Sequence, residues 1–378
     1  MQPNVLLVAH DPGGANVWAP CIVPLQQAGF DVTLAAPEQS PAVHRWTGLG
    51  HAVTAIPHEV CNTPDGIASW LSQQHAALPI AALLTGTSAN DFTEKHLWQA
   101  AKHLGIPSLA LLDQWLNYGI RFASHGLADA AQYHANPQHP YLPTRIGVMD
   151  VLAQQEALAA KLPADRLVVV GHPALAELAQ QPAPALPPPE QGLVLSFISE
   201  PLAAQYGTHN PLGFTEADAF TCLIEALSQL ALNAITLWVR PHPKEDTTAW
   251  AERLAASQAT CGPQVRIALA PADWTPQGQI AASHVVFGMT SMMLLEAGVL
   301  GRPVVCVQPG FSGALTDNPL VLCRQGWVAP ATTPAEVRHR LEAGLIHADK
   351  SPVRWPVDIK AVHHVVAEIQ RLAGIAVS

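Results

Sequence analysis

Two short stretches in the C-terminal half carry side chains able to hold an anion. Arg240-Pro241-His242-Pro243-Lys244-Glu245 gathers cations directly after an apolar run, Ala234 to Val239. Gly288-Met289-Thr290-Ser291 follows a second run, Val285 to Phe287, and leads into a segment whose Met292, Leu294, Leu295 and Val299 recur at helical spacing. Small residues at a helix N-terminus leave backbone N–H groups free for a phosphate, and cationic side chains add charge-assisted donors. Arg240, His242, Lys244, Thr290 and Ser291 are therefore the candidate phosphate- and nucleotide-binding residues. Glu296, about a turn and a half into the helix, is placed for a ribose or sugar hydroxyl. Two plainer readings compete: Thr290 or Ser291 is only an N-cap, and Pro-His-Pro only stiffens a loop.

The N-terminal half offers acids and small residues at the ends of similar runs. Val5 to Ala9 ends in His10-Asp11-Pro12-Gly13-Gly14, which reads as a tight Gly-rich turn before a helix over Val17 to Ala28. It is neither a GxGxxG fingerprint nor a P-loop, which would need a Lys. Ala77 to Thr85 ends in Gly86-Thr87-Ser88, Ser108 to Leu112 in Asp113-Gln114-Trp115, and Arg166 to Val170 in Gly171-His172-Pro173. In open α/β sheets, ligands bind at the carboxyl ends of strands. Asp11 and Asp113 are the candidate general bases, with His10 third. Gly13, Gly14, Thr87, Ser88, Ser199 and Glu200 are expected to line a cleft. Each of these acids could equally cap a loop or a helix, and Trp115 could fill core.

Elements must place these groups on common edges. Apolar runs alternating with helical segments give strand–helix repeats, the pattern of a parallel sheet. Further helices are expected over Phe92 to Leu104, Gln154 to Leu162, Thr215 to Leu232, Thr248 to Ser257, Pro334 to Leu345 and Asp358 to Leu372. The fold expected is α/β, two Rossmann-like domains. Residues 1–179 form the first, acceptor-side domain, and 192–355 the second, nucleotide-binding one. The proline-rich stretch 180–191 joins them as a semi-rigid spacer. A helix within 356–378 packs back on the first domain.

Composition narrows the partners. Hydrophobic residues make up 49% and charged residues 13% of the 378, which fits a globular chain with large cores. A formal net charge of −10 provides no basic stripe, so nucleic acid is not expected as partner. No apolar run reaches the roughly 18 residues that cross a bilayer. The start of the chain lacks a basic, signal-type region, so the cytoplasm is the expected location and peripheral membrane association stays open. Six scattered cysteines without a CxxC pair read as free thiols. No DxD pair or ligand-spaced His/Asp cluster is present, so neither a metal nor a separate cofactor is expected.

The chain resembles the GT-B superfamily of nucleotide-sugar enzymes, in which two Rossmann-like domains face each other across a cleft. Arg240 to Glu245 followed by GMTSMMLLEAGVLGRPVV looks like the HP and Ser motifs of bacterial sialyl-, Kdo- and glycerophosphate-transferring enzymes. That resemblance implies a CMP- or CDP-linked donor, with UDP as a variant, and a glycan or glycolipid acceptor in surface polysaccharide synthesis. It also implies His242 on the donor phosphate, and Thr290 and Ser291 on phosphate or nucleotide. The order GTSAND, helix, GIPSLALLDQW, VVVGHP is similar to the first half of UDP-GlcNAc 2-epimerases, though Gly86-Thr87-Ser88 and Asp113-Gln114-Trp115 stand where those have GDT and EAG. The expectation is a metal-independent glycosyltransferase. The alternatives are an epimerase or nucleotide-sugar hydrolase, and a non-catalytic binding protein of the same fold.

Overall fold

A computed structural model describes residues 2–61, 63–188, 192–207, 210–230, 234–348 and 353–376. Residues 189–191 of the proline-rich stretch, and the last two of the helix expected to end at Leu232, lie outside the described residues. The chain divides into two compact units, Met1–Gln180 with Val357–Ser378, and Gln181–Pro356.

The first unit is built on a seven-stranded sheet. Its strands are β1 (Asn4–Val8), β2 (Asp31–Pro37), β3 (Thr54–Ile56), β4 (Ile80–Thr85), β5 (Ser108–Leu111), β6 (Arg145–Val148) and β7 (Leu167–Val169). They lie in the order β3-β2-β1-β4-β5-β6-β7, all pairs parallel. Every residue of β1 is buried, as the uninterrupted apolar run requires for a strand covered on both faces. Helices that matter for the site are α1 (Pro12–Trp18), α2 (Thr93–Leu104) and α3 (Pro173–Ala179).

The expected turn His10–Gly14 is a helix start instead. Pro12 occupies the first helical position, where its missing N–H costs nothing and its fixed φ favours the turn. The helix expected over Val17 to Ala28 is correspondingly broken into α1, a 3₁₀ turn and Ile22–Gln27.

The second unit holds β8 (Leu193–Ile198), β9 (Ile235–Arg240), β10 (Val265–Leu269), β11 (Val285–Gly288) and β12 (Val304–Cys306), ordered β10-β9-β8-β11-β12 and parallel throughout. Its helices include α4 (Glu216–Ser228), α5 (Thr247–Cys261), α6 (Pro276–Ala281), α7 (Met292–Val299) and α8 (Pro334–Ala348). Gly301, at φ +78°, takes the left-handed conformation that ends α7 and frees the chain to enter β12.

The last helix, α9 (Ala361–Leu372), belongs to the first unit. Its Val365 and Ile369 are fully buried beside Val5, Leu7, Trp18 and Leu25. Burying such side chains stabilises the unit by about 1.5–3 kcal/mol apiece.

Strand order reverses between β1 and β4 in one sheet and between β8 and β11 in the other. Those switch points open a crevice at the carboxyl ends of the flanking strands, where neighbouring connections leave in opposite directions. His10 and Asp11 stand opposite Gly86 to Ser88 at the first; Ser199 and Glu200 stand opposite Met289 to Ser291 at the second.

Candidate functional site

At the first switch point the glycines allow a close approach. A side chain at Gly13 would collide with the Asp113 carboxylate, and one at Gly14 or Gly86 with the other's backbone. The strand ends therefore meet directly, and four acids and a histidine gather around them.

The His10 ring is held between carboxylates. Its Nδ1 lies 2.9 Å from Asp11 Oδ1 and its Nε2 3.6 Å from Asp91 Oδ2. A carboxylate only accepts, so Nδ1 carries the proton and the neutral ring keeps its lone pair on Nε2. Partial burial disfavours the charged ring, but the bond to Asp11 and the charges of Asp91 and Asp11 outweigh it and raise the pKa. Burial likewise opposes ionisation of Asp11, yet hydrogen bonds from His10 and Ser88 hold its pKa down.

Glu94, one residue into α2, closes the floor. Its two oxygens accept the N–H groups of His10, at 3.3 Å, and Ser88. Those donors favour the carboxylate, but full burial dominates and pushes the carboxyl up to about 8. Neighbouring Lys95 is also buried, and burial brings its ammonium down to about 8. It donates to the carbonyls of Ala89 and Ala123, which makes it a pin for the loops.

Asp113 is differently engaged. Arg121, itself buried, places Nη1 2.8 Å from Asp113 Oδ1, 2.7 Å from the Thr87 carbonyl and 3.0 Å from the Thr87 hydroxyl. The pair ties the ends of β4 and β5 together. The aromatic residues that follow Asp113 are hydrogen-bonded within the unit as well. Trp115 stacks on His172 with centroids 5.8 Å apart and donates to Asp150, and Tyr118 donates to Glu156. His172 accepts the Leu175 N–H at Nδ1, so its Nε2–H donates to the Asp113 carbonyl. Burial lowers its pKa, and it serves as a neutral strut.

At the second switch point Glu245 organises the cationic loop. It accepts the His242 N–H at 2.6 Å, the Ser199 hydroxyl at 2.8 Å and the Trp250 indole N–H at 2.9 Å. His242 Nδ1 accepts the Lys244 N–H, which leaves Nε2–H as the outward donor of a neutral ring. Burial, then the Lys244 charge, lower its pKa. Lys244 is exposed. Arg240 points elsewhere: its guanidinium donates to Gln279 and to the Trp274 carbonyl, so it braces the segment before α6.

The N-terminus of α7 is already in use. Glu200 accepts the Thr290 N–H at 2.7 Å and its hydroxyl at 2.6 Å, with the Ser291 N–H adding a further bond. Burial nevertheless holds its carboxyl up to about 6. Ser291 caps the helix, its hydroxyl accepting the Met293 N–H. Glu296 accepts from Gln277.

Glu94 and Arg121 are not distinguished by the sequence alone. Glu94 reads there as an ordinary first-turn acid, and Arg121 lies on an irregular stretch well past Asp113. The one signal was the density of polar residues, Thr93 to His96, on a helix that had to be buried. Among the described residues no group of His, Cys, Asp and Glu side chains is arranged to hold a metal ion. No helix among them is long and apolar enough to cross a membrane.

No protein-family model and no curated protein matches the chain. Solved structures share its fold along the whole length. A putative UDP-N-acetylglucosamine 2-epimerase from Listeria monocytogenes superposes with a TM-score of 0.67 at 12% identity, covering 100% of this chain and 99% of that one. The S. aureus MnaA–UDP co-structure gives 0.64 at 12% identity, with 100% and 98% covered. MurG from Acinetobacter baumannii gives 0.55 at 14% identity, with 98% and 99% covered. The two parallel-sheet domains are those of the GT-B fold.

Proposed function

We propose that the chain is a nucleotide-sugar enzyme whose second unit binds the donor's nucleotide and whose first unit supplies the acid–base groups for moving the sugar. A uridine nucleotide is favoured over the CMP or CDP type that the motif resemblance implies, because a protein sharing the fold was solved with UDP. The observation that carries the reading is the His10–Asp11 pair at the first switch point. Asp11 orients the ring, and Nε2 is left as a base of raised affinity for a proton.

In the transfer step, His10 Nε2 takes the proton of an acceptor hydroxyl. That oxygen bonds to the anomeric carbon as the bond from carbon to the diphosphate oxygen breaks, releasing the nucleoside diphosphate. His242 Nε2–H and Lys244 stabilise the departing charge, a role that needs no metal. Thermal-shift titration with UDP, CMP, CDP and dTDP tests the nucleotide assignment. A shift with UDP that survives chelator supports it, and a shift with none of the four refutes it.

One observation favours epimerisation or hydrolysis instead. Glu94 retains its proton near neutral pH within reach of the His10 backbone, so an acid and a base adjoin. Removing and returning a proton at a sugar carbon uses such a pair.

A further inference from the structure

The second unit contains a cavity of about 400 Å³ away from the carboxyl edge of its sheet, at the start of β12 and the C-terminal end of α7. That is the scale of a small-molecule site. Its walls include Trp327 and Trp355, Leu322 and Val328, and two arginines, Arg302 and Arg340. Gly298 and Gly344 keep it open, since a side chain on either would press on Trp355 or Pro303.

The charge on these walls is of one sign. Among the described residues no aspartate or glutamate lines the cavity, although the chain as a whole carries a formal charge of −10. Arg302 is buried and donates to the carbonyls of Ile280, Ala281 and Ala185, which are neutral acceptors. Arg340 Nε is buried without a hydrogen-bond partner. Glu336, one turn earlier on α8, accepts the Thr332 N–H and hydroxyl; these bonds and, to a lesser extent, the Arg340 charge lower its pKa, and it makes no hydrogen bond to Arg340 Nε. A buried guanidinium nitrogen without an acceptor is costly, and a ligand that supplies one recovers that cost.

We propose that this cavity binds a small amphipathic organic anion, its apolar body between Trp327 and Trp355 and its carboxylate, sulfonate or phosphate on Arg340. The site is independent of the nucleotide assignment. Aromatic walls give the body its contact area, and a planar guanidinium gives the head group paired donors.

The test is fluorescence titration of the full chain with 1-anilinonaphthalene-8-sulfonate, beside N-phenyl-1-naphthylamine, which has the same ring systems and no charge. One sulfonate binds per chain. Arg340→Met keeps the apolar stem and weakens the sulfonate at least tenfold while leaving the uncharged probe unchanged. Ala343→Phe, on the same wall, excludes both, and thermal melts establish that each variant is folded. Sulfonate binding that is absent in the wild type, or equal in Arg340→Met, overturns the proposal. So does co-sedimentation with phosphatidylglycerol vesicles that depends on Arg340 when the soluble sulfonate does not bind, because the head group would then be a bilayer's.

Discussion

Glu200 holds Thr290 by both its backbone and its side chain, at 2.7 and 2.6 Å, and so fills the helix terminus expected to receive a phosphate. A carboxylate satisfies the same donors that a phosphate would, and the two cannot share them. Glu200→Gln removes the competing charge, and UDP affinity measured by calorimetry at pH 7.5 rises about tenfold, or about 1.4 kcal/mol. Because burial holds the Glu200 carboxyl up to about 6, protonation below that pH narrows the difference between wild type and variant. Equal affinities at pH 7.5 remove Glu200 from the site.

The cations of the Arg240–Glu245 loop divide by role. His242→Ala deletes an outward N–H donor and weakens UDP binding by about 1.5–3 kcal/mol. Arg240→Met leaves binding nearly intact and lowers the melting temperature, because its partners are Gln279 and Trp274. The reverse pattern would restore Arg240 as a ligand contact.

Much of this was legible beforehand. Apolar runs ending in His10, Ser88, Asp113, Glu200 and Arg240 mark strand ends because a strand buried on both faces tolerates few polar residues. What was not legible is which partner each polar group takes. Arg121 finds Asp113 and Thr87 only once β4 and β5 are adjacent, and Arg240 finds Gln279 only once α6 packs beside β9. Glu200 looked like cleft lining because nothing local tells that its carboxylate lies over another strand's turn. Pro12 is the residue that marks the helix start, since a proline at the first helical position outweighs the pair of glycines after it.

Asp113 separates a base from a brace. Asp113→Asn leaves the Arg121 guanidinium buried without its counter-charge and costs about 3 kcal/mol of stability in denaturant unfolding. Unchanged stability would mean that Asp113 is kept for chemistry.

Glu94 imposes a pH slope on stability. Its folded pKa, about 8, exceeds its ordinary 4.5, so the native state holds a proton that the unfolded chain has released between those values. Its contribution is full below about pH 4.5 and is lost as pH rises towards 8. Glu94→Gln is less stable at every pH, because its amide meets a backbone N–H, but its melting temperature falls less steeply from pH 5 to 8. Parallel slopes would place the Glu94 carboxyl at an ordinary pKa.

The assignment of His10 as base in sugar transfer is tested most directly by ¹H NMR of UDP-N-acetylglucosamine with the chain in D2O. The account predicts slow release of UDP to water with the sugar C2 proton retained. The release rises with pH through a His10 pKa above its ordinary value of 6.5 and falls by about 10²–10⁴ in His10→Asn. Release that is undiminished in His10→Asn, or exchange of deuterium into C2, contradicts it.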